Sequence, residues 1–268
     1  MQFSQEDTGR NEEATQDEKA HVTVFPPETE PALRLLEKYS GFRPEQIPEH
    51  ISRIQAKALA ISHYGCLKSF GFLNLAPHLE DPRYQTALAR LRAPGSTETF
   101  LDVGCCLGPV VRQLASEGVP GDRLYGTDLQ VGLLDLGYEL FEDRGWSRVT
   151  YVEGDMLNEN DGRLDVLRGK IDIIYASAFF HLFEREGQLK AAKRMLGFLR
   201  PDNLDAMIFG QNQGPKIDGW EKYVLDPGAW ANLWEEVGQA TGTKWRTEME
   251  VESTHAWNHV RFGVYRVL

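Results

Sequence analysis

Around residue 100 the chain carries a short apolar run, Thr99-Phe100-Leu101-Asp102-Val103, that breaks into Gly104-Cys105-Cys106-Leu107-Gly108 and then into Pro109. From Pro109 to Glu117, Val110, Val111, Leu114 and Ala115 fall on one helical face, and Gly118 supplies the stop. A strand that turns through glycine into a helix is the opening of a βαβ unit, and the alternation continues downstream. Leu124 to Asp128 precedes a helical pattern through Leu133, Leu134, Tyr138 and Phe141. Val149 to Val152 and Ile171 to Ala176 read as strands, Arg185 to Leu199 as a helix, and Ala206 to Phe209 as a fifth strand. Strands separated by helices pair in parallel through right-handed crossovers, which predicts an α/β fold with an open, doubly wound sheet. Ligands of such sheets sit at the carboxyl ends of the strands.

The flanks differ from this rhythm. Residues 1 to 22 are acidic and poor in large apolar side chains, with Glu6, Asp7, Glu12, Glu13, Asp17 and Glu18 against Arg10 and Lys19, so a disordered tail is expected. Residues 23 to 95 are helical in pattern, through Leu33, Leu36 and Tyr39 and then Ile47, Ile51, Ile54, Ala58 and Ile61; they are expected to form a lid over the main domain of residues 96 to 268. Near the end, Asp226 is placed to cap a helix with Pro227 at its first position, and Lys244 to Val251 and Val260 to Val267 are rich in strand formers.

Composition removes several classes of function. Forty acids against 29 bases give a net charge of −11 without a dense Lys/Arg patch, which argues against a nucleic-acid partner. The longest apolar runs, such as Ile171 to Ala178, are interrupted by Asp172 and Ser177, so no membrane span is expected. The start lacks a basic and an apolar signal region, which predicts a cytoplasmic protein with reduced thiols. Cys66, Cys105 and Cys106 cannot build a disulfide framework, and without paired Cys or His spacings no metal site is expected.

The glycine turn also selects its ligand. A dinucleotide fingerprint would place glycines at 104, 106 and 109, where this chain has Gly104, Cys106 and Pro109, and there is no P-loop motif. A nucleoside ligand without a diphosphate remains, with Asp102 at the strand tip to meet a cationic group. Asp128 follows Gly104 by 24 residues and closes the second strand, where a carboxylate accepts both ribose hydroxyls. Asp155 follows the third strand, in position for an adenine amino group, with Met156 to pack on the ring. S-adenosylmethionine, with its ammonium and sulfonium, has the character this constellation asks for.

The segments FLDVGCCLGPVVRQL, LYGTDLQ, GYELFEDR, IDIIYASAFFHLF and AAKRMLGFLRP resemble class I S-adenosylmethionine-dependent methyltransferases. More narrowly, they resemble fungal secondary-metabolite enzymes that form methyl esters on meroterpenoid carboxylic acids. The resemblance runs from about Leu33 to the C-terminus. It implies a seven-stranded, Rossmann-like sheet whose last strand is antiparallel. It also implies a cofactor site built from Asp102, Gly104, Cys105, Cys106, Gly108, Asp128, Leu129, Asp155, Met156, Ala176 and Ser177. Where the wider class often has a Pro-Gly-Gly turn, this chain has Pro201-Asp202-Asn203, which requires a different turn.

On the acceptor side, Ala176 to Phe183 forms the loop after the fourth strand. Phe179 and Phe180 are placed to wall a pocket, and His181 to orient or deprotonate the nucleophile. Tyr64, Gln211, Trp220 and Trp230 complete the expected substrate pocket, although a Trp stripe at helical spacing is more often core. The expected activity is O-methylation of a small apolar secondary metabolite, most simply a carboxylic acid of meroterpenoid or polyketide type. A hydroxyl acceptor, or a pericyclase or isomerase on the same fold, is the alternative.

Overall fold

The computed structural model describes residues 25–213, 226–253 and 258–268. The acidic tail and Trp220 lie outside them. Helices α1 (Glu30–Lys38), α2 (Ile47–Ile61), α3 (Gly65–Lys68), α4 (Ala76–Leu79) and α5 (Pro82–Arg92) precede β1 (Phe100–Val103). They are followed by α6 (Pro109–Ser116), β2 (Leu124–Asp128), α7 (Val131–Phe141), β3 (Thr150–Glu153), β4 (Ile173–Tyr175) and α8 (Arg185–Phe198). The described chain closes with β5 (Met207–Gln213), α9 (Pro227–Thr241), β6 (Lys244–Ser253) and β7 (Asn258–Val267). The strands form one seven-stranded sheet in the order β3-β2-β1-β4-β5-β7-β6, with β7 antiparallel to both neighbours. The expected doubly wound sheet is therefore present, antiparallel strand included.

Strand periodicity sorts the core into two layers. Phe100, Tyr175, Met207 and Phe209 face the layer that holds α1, α2, α5, α6 and α7, whereas Leu101, Val103, Ile174 and Ile208 face α8 and α9. Ala32, Leu35, Leu36, Ile47, Ile51 and Ile54 are buried in the first layer, so α1 and α2 share the core of the sheet. His50 Nε2 bonds the carbonyl of Leu140 at 2.9 Å, and Lys57 pairs with Glu139, fastening α2 to α7.

Two boundaries differ from the sequence reading. β4 is shorter than the expected run and starts after Asp172, whose carboxylate accepts from the backbone N–H of Thr99 at 2.8 Å and from Asn203 Nδ2 at 2.9 Å. That same carboxylate anchors the Pro201-Asp202-Asn203 turn, which is how this chain manages without Pro-Gly-Gly. β5 is longer because Gly210 to Gln213 pair with β7, a partner that local pattern cannot reveal. Asp226 caps α9 as expected, accepting from Ala229 N–H at 2.8 Å. Among the described residues no helix is long and apolar enough to cross a membrane, and no group of His, Cys, Asp and Glu is arranged to hold a metal.

Candidate active site

β1 delivers its chain into a turn held from β2. The N–H groups of Gly104 and Cys105 both donate to the carbonyl of Thr127, at 2.8 and 3.0 Å, and Gly108 N–H donates to Cys105 O at 2.7 Å. Gly104 has φ +73°, and a Cβ there would lie 2.9 Å from the Phe179 ring; Gly108 has φ +68°, and a Cβ there would meet Tyr151 Oη at 2.7 Å. Only glycine meets both demands at these positions. Cys106, at φ 53°, takes a left-handed conformation without being glycine, and its N–H donates to Asp128 Oδ2 at 2.9 Å. Asp128 Oδ1 accepts from Gln130 N–H at 3.0 Å. Asp128 therefore clamps the turn and still has lone pairs for a ligand. Burial pushes its carboxyl above the ordinary range, and backbone donors at Gln130, Cys106 and Leu129 oppose that shift.

Beneath the turn lies Arg112 of α6. Its Nη1 donates to Leu107 O at 2.7 Å, while Nε and Nη2 form a bidentate pair with Asp143 at 2.7 and 3.0 Å. Both side chains are fully buried. Tyr39 of α1 donates to the same Asp143 at 2.9 Å, so the N-terminal helices and the glycine turn share one carboxylate.

A cavity of about 220 Å³ opens at the carboxyl ends of β1, β2 and β3. It brings together Gly104, Asp128, Leu129, Asp155, Met156 and Phe179 of the expected residues and adds Thr127, Gly154, Leu157 and Phe183, which local pattern did not single out. Asp155 is half-buried and closes its own turn, accepting from Leu157 N–H at 2.8 Å. Asp102 stands beside the cavity on the α6–α7 face. It is 4% exposed, no hydrogen bond from a described residue reaches its carboxylate, and burial together with Asp128 pushes its pKa up to about 8.

The remaining expected residues scatter. Cys105 is buried against Gly126, and Cys106 hydrogen-bonds the thiol of Cys66. Tyr64 is exposed at the start of α3. Ala176 is buried in register with β5, and Ser177 bonds the Tyr175 side chain. Ala178 follows at φ 51°, held by its N–H to Gln211 O at 2.7 Å. Phe180 and Trp230 are fully buried, with ring centroids 5.1 Å apart and Phe262 against both, so they act as core rather than pocket wall. His181 is buried in the short 3-10 turn Phe180–Leu182 and does not line the cavity.

At the ends of β4 and β5 a second polar cluster joins the expected Gln211 to His78 and Tyr175, which the sequence did not single out. His78 Nδ1 faces Gln211 Nε2 at 2.7 Å and the hydroxyl of Tyr175. Burial and the nearby Arg261 cation hold the His78 ring down at about pKa 4, against a hydrogen bond to the Asn74 backbone.

Comparison with known proteins decides the family. Residues 23–73 match the meroterpenoid methyltransferase N-terminal domain, and residues 100–202 match a methyltransferase domain. The chain is 37% identical over 243 residues to the O-methyltransferase phiE of Fungal sp. (strain ATCC 74256), covering 87% of this chain and 80% of that protein. It is 35% identical over 243 residues to the asnovolin E/chermesin D methyltransferase nvfJ of Aspergillus novofumigatus, covering 88% and 86%. The chain belongs to the class I S-adenosylmethionine-dependent methyltransferases, in their meroterpenoid branch. The methyltransferase shares its fold with magnesium protoporphyrin IX methyltransferase (ChlM) from Synechocystis PCC 6803, at 13% identity and a TM-score of 0.51 over 89% of this chain and all of that one. In this methyltransferase the match at residues 23–73 covers α1, α2 and α3, the helices that reach Asp143 and Cys106.

Proposed function

We propose that this methyltransferase esterifies a small, largely apolar carboxylic acid of meroterpenoid or polyketide type. S-adenosylmethionine supplies a methyl carbon already activated by its sulfonium. The observation that carries its placement is Asp102, a buried carboxyl without a described donor beside a glycine turn, which is suited to an ammonium group. The lone pairs left on Asp128 suit two ribose hydroxyls, and Leu129, Asp155 and Met156 flank the space an adenine would fill. Cys105, Cys106 and Gly108 shape the turn. The protein's share of the work is alignment and the exclusion of water.

The acceptor reading rests on acid–base chemistry. A hydroxyl needs a base poised near neutral pH, and His78, the imidazole at the strand ends, is held too low to serve. A carboxylic acid is already ionised and needs none. We also assign residues 23–95 the role of acceptor-side cover, because α4 brings His78 to the ends of β4 and β5.

Two measurements test this reading. Asp128→Ala is expected to weaken binding of S-adenosylmethionine and S-adenosylhomocysteine by about one to two decades, the worth of a charged hydrogen-bonding group. Unchanged affinity by calorimetry would remove Asp128 from the site. For His181→Ala, a change of less than tenfold in single-turnover rate at saturating cofactor is expected, with a flat profile from pH 6 to 9. A steep limb that disappears with His181 would overturn the carboxylate acceptor, because base catalysis is worth about 10² to 10⁴ in rate.

A further inference from the structure

The register of β5 and β7 pairs Gln211 with Arg261, so both side chains leave the sheet on the face that carries Tyr175 and Phe209. Arg261 is mostly buried, with its side chain 16% exposed. Its Nη1 meets Glu252, a half-exposed partner, at 2.6 Å, while its Nε is buried and has no acceptor among the described residues. A guanidinium offers five N–H donors in a planar fork that fits a carboxylate, and a buried donor without an acceptor is destabilising until something supplies one.

Next to it stands a buried polar cluster. The His78 ring hydrogen-bonds the Asn74 backbone, and its Nδ1 faces the ends of β4 and β5. The Tyr175 hydroxyl and the Gln211 amide both point at that nitrogen. Tyr175 has Ser177 as a further partner. The acids near Tyr175 are otherwise placed: Asp81 pairs with Arg83 at 3.2 Å, and Asp102 lies on the cofactor side. The ends of β4, β5 and β7 thus form a polar edge with a fixed cation, a neutral imidazole and the side chains of Tyr175 and Gln211.

We infer that Arg261 anchors the carboxylate of the methyl acceptor, with Gln211 and Tyr175 as flanking donors on the His78 platform. This assignment rests on the carboxylic-acid reading above and names the residues that enforce it. Adjacent strands lie about 4.8 Å apart, so an acid held at β5 and β7 stands one strand from the end of β4, with one carboxylate oxygen left for the transfer. In the transfer, a lone pair of that oxygen forms the bond to the methyl carbon. The carbon–sulfur bond breaks with its electron pair going to sulfur, and no proton moves. The carboxylate charge disappears in the same step. Arg261 therefore holds the acid and loses its grip on the ester, which couples recognition to product release. An alcohol of the same shape gives the guanidinium no charge to hold.

The test uses the full chain, a ¹³C-methyl-labelled cofactor and three probes: farnesoic acid, farnesol and 2,4-dihydroxybenzoic acid, which carries both acceptor types. Label is expected in methyl esters only. Arg261→Gln should raise the KM for the acids tenfold or more, with kcat less affected, and Arg261→Lys should recover part of the loss. Affinity for S-adenosylhomocysteine and the melting temperature should stay at wild-type values. Ester formation by Arg261→Gln with KM raised less than tenfold overturns the anchor and leaves the esterification reading intact. If Arg261→Gln does not fold, Arg261→Lys decides: a wild-type KM for the acids overturns the anchor, and a raised one supports it. Label on farnesol or a ring hydroxyl, or wild-type enzyme that neither binds nor methylates either acid, overturns the esterification reading and the anchor together.

Discussion

Replacing Asp143 with alanine is expected to cost about 3 to 5 kcal/mol of folding stability, the penalty for leaving a buried charge without its partner. Arg112 and Asp143 are fully buried and joined by two hydrogen bonds of 2.7 and 3.0 Å. Without the carboxylate, the Arg112 cation stays among the rings of Tyr138, Phe141 and Tyr151, whose faces attract it but cannot neutralise it. The Tyr39 hydroxyl loses its acceptor as well. Because Arg112 also holds Leu107 O, the damage reaches the glycine turn, and cofactor affinity should fall along with stability. Urea unfolding and calorimetry measure the two losses. An apolar double replacement, Arg112→Met with Asp143→Leu, should recover much of the stability and little of the affinity, since well-packed apolar residues can replace a buried pair but cannot hold the turn. A single substitution costing under about 1 kcal/mol would show that the pair is solvated after all.

Cofactor affinity is expected to climb about tenfold per pH unit from about pH 6 toward pH 8, because binding must strip a proton from Asp102. In the free protein, burial and the neighbouring Asp128 hold that carboxyl up at about 8, so it is protonated through most of this range. An ammonium placed beside it favours the carboxylate and releases the proton. Above about pH 8 the ligand's own α-ammonium loses its charge and the climb ends. Calorimetry in buffers of different ionisation enthalpy should register the released proton at pH 7, and Asp102→Asn should abolish both the release and the slope. Folding carries the opposite sign. A carboxyl whose pKa is raised by folding binds its proton more tightly in the native state, so native stability falls as pH rises from about 4 to 8. Asp102→Asn should therefore melt at a higher temperature than wild type at pH 8.5 while binding cofactor more weakly. A flat affinity profile for the wild-type protein would remove Asp102 from contact with the ligand's charge.

What was legible in the sequence was whatever local pattern carries. β1, its glycine turn and α6 could be read because the apolar run, the glycines and Pro109 are contiguous. The polar end of β5 could not, since Gln211 and Asn212 become strand only by pairing with β7. The cofactor side emerged because acids at strand ends recur with the βα period, and the cavity gathers Asp128 and Asp155. His78 stayed hidden: its partners Tyr175 and Gln211 are 97 and 133 residues away, and its own element, α4, is a single turn with no apolar period to read. Phe180 and Trp230 were assigned to the pocket because aromatic spacing does not say which way a ring points, and here both point into the α8–α9 layer.

The division of the sheet into two layers sets different terms for change on its two sides. His78, Tyr175, Gln211 and Arg261 all stand on the side of α1, α2 and α5 to α7, whereas Phe180, Trp230, Trp234 and Phe262 fill the side of α8 and α9 with apolar mass. A drift in which acid is accepted can proceed through the first group without opening a cavity in the second, where the loss of a large aromatic side chain costs about 3 to 5 kcal/mol. Such an enzyme has somewhere to experiment and somewhere that must hold still, and one backbone sheet keeps the two apart.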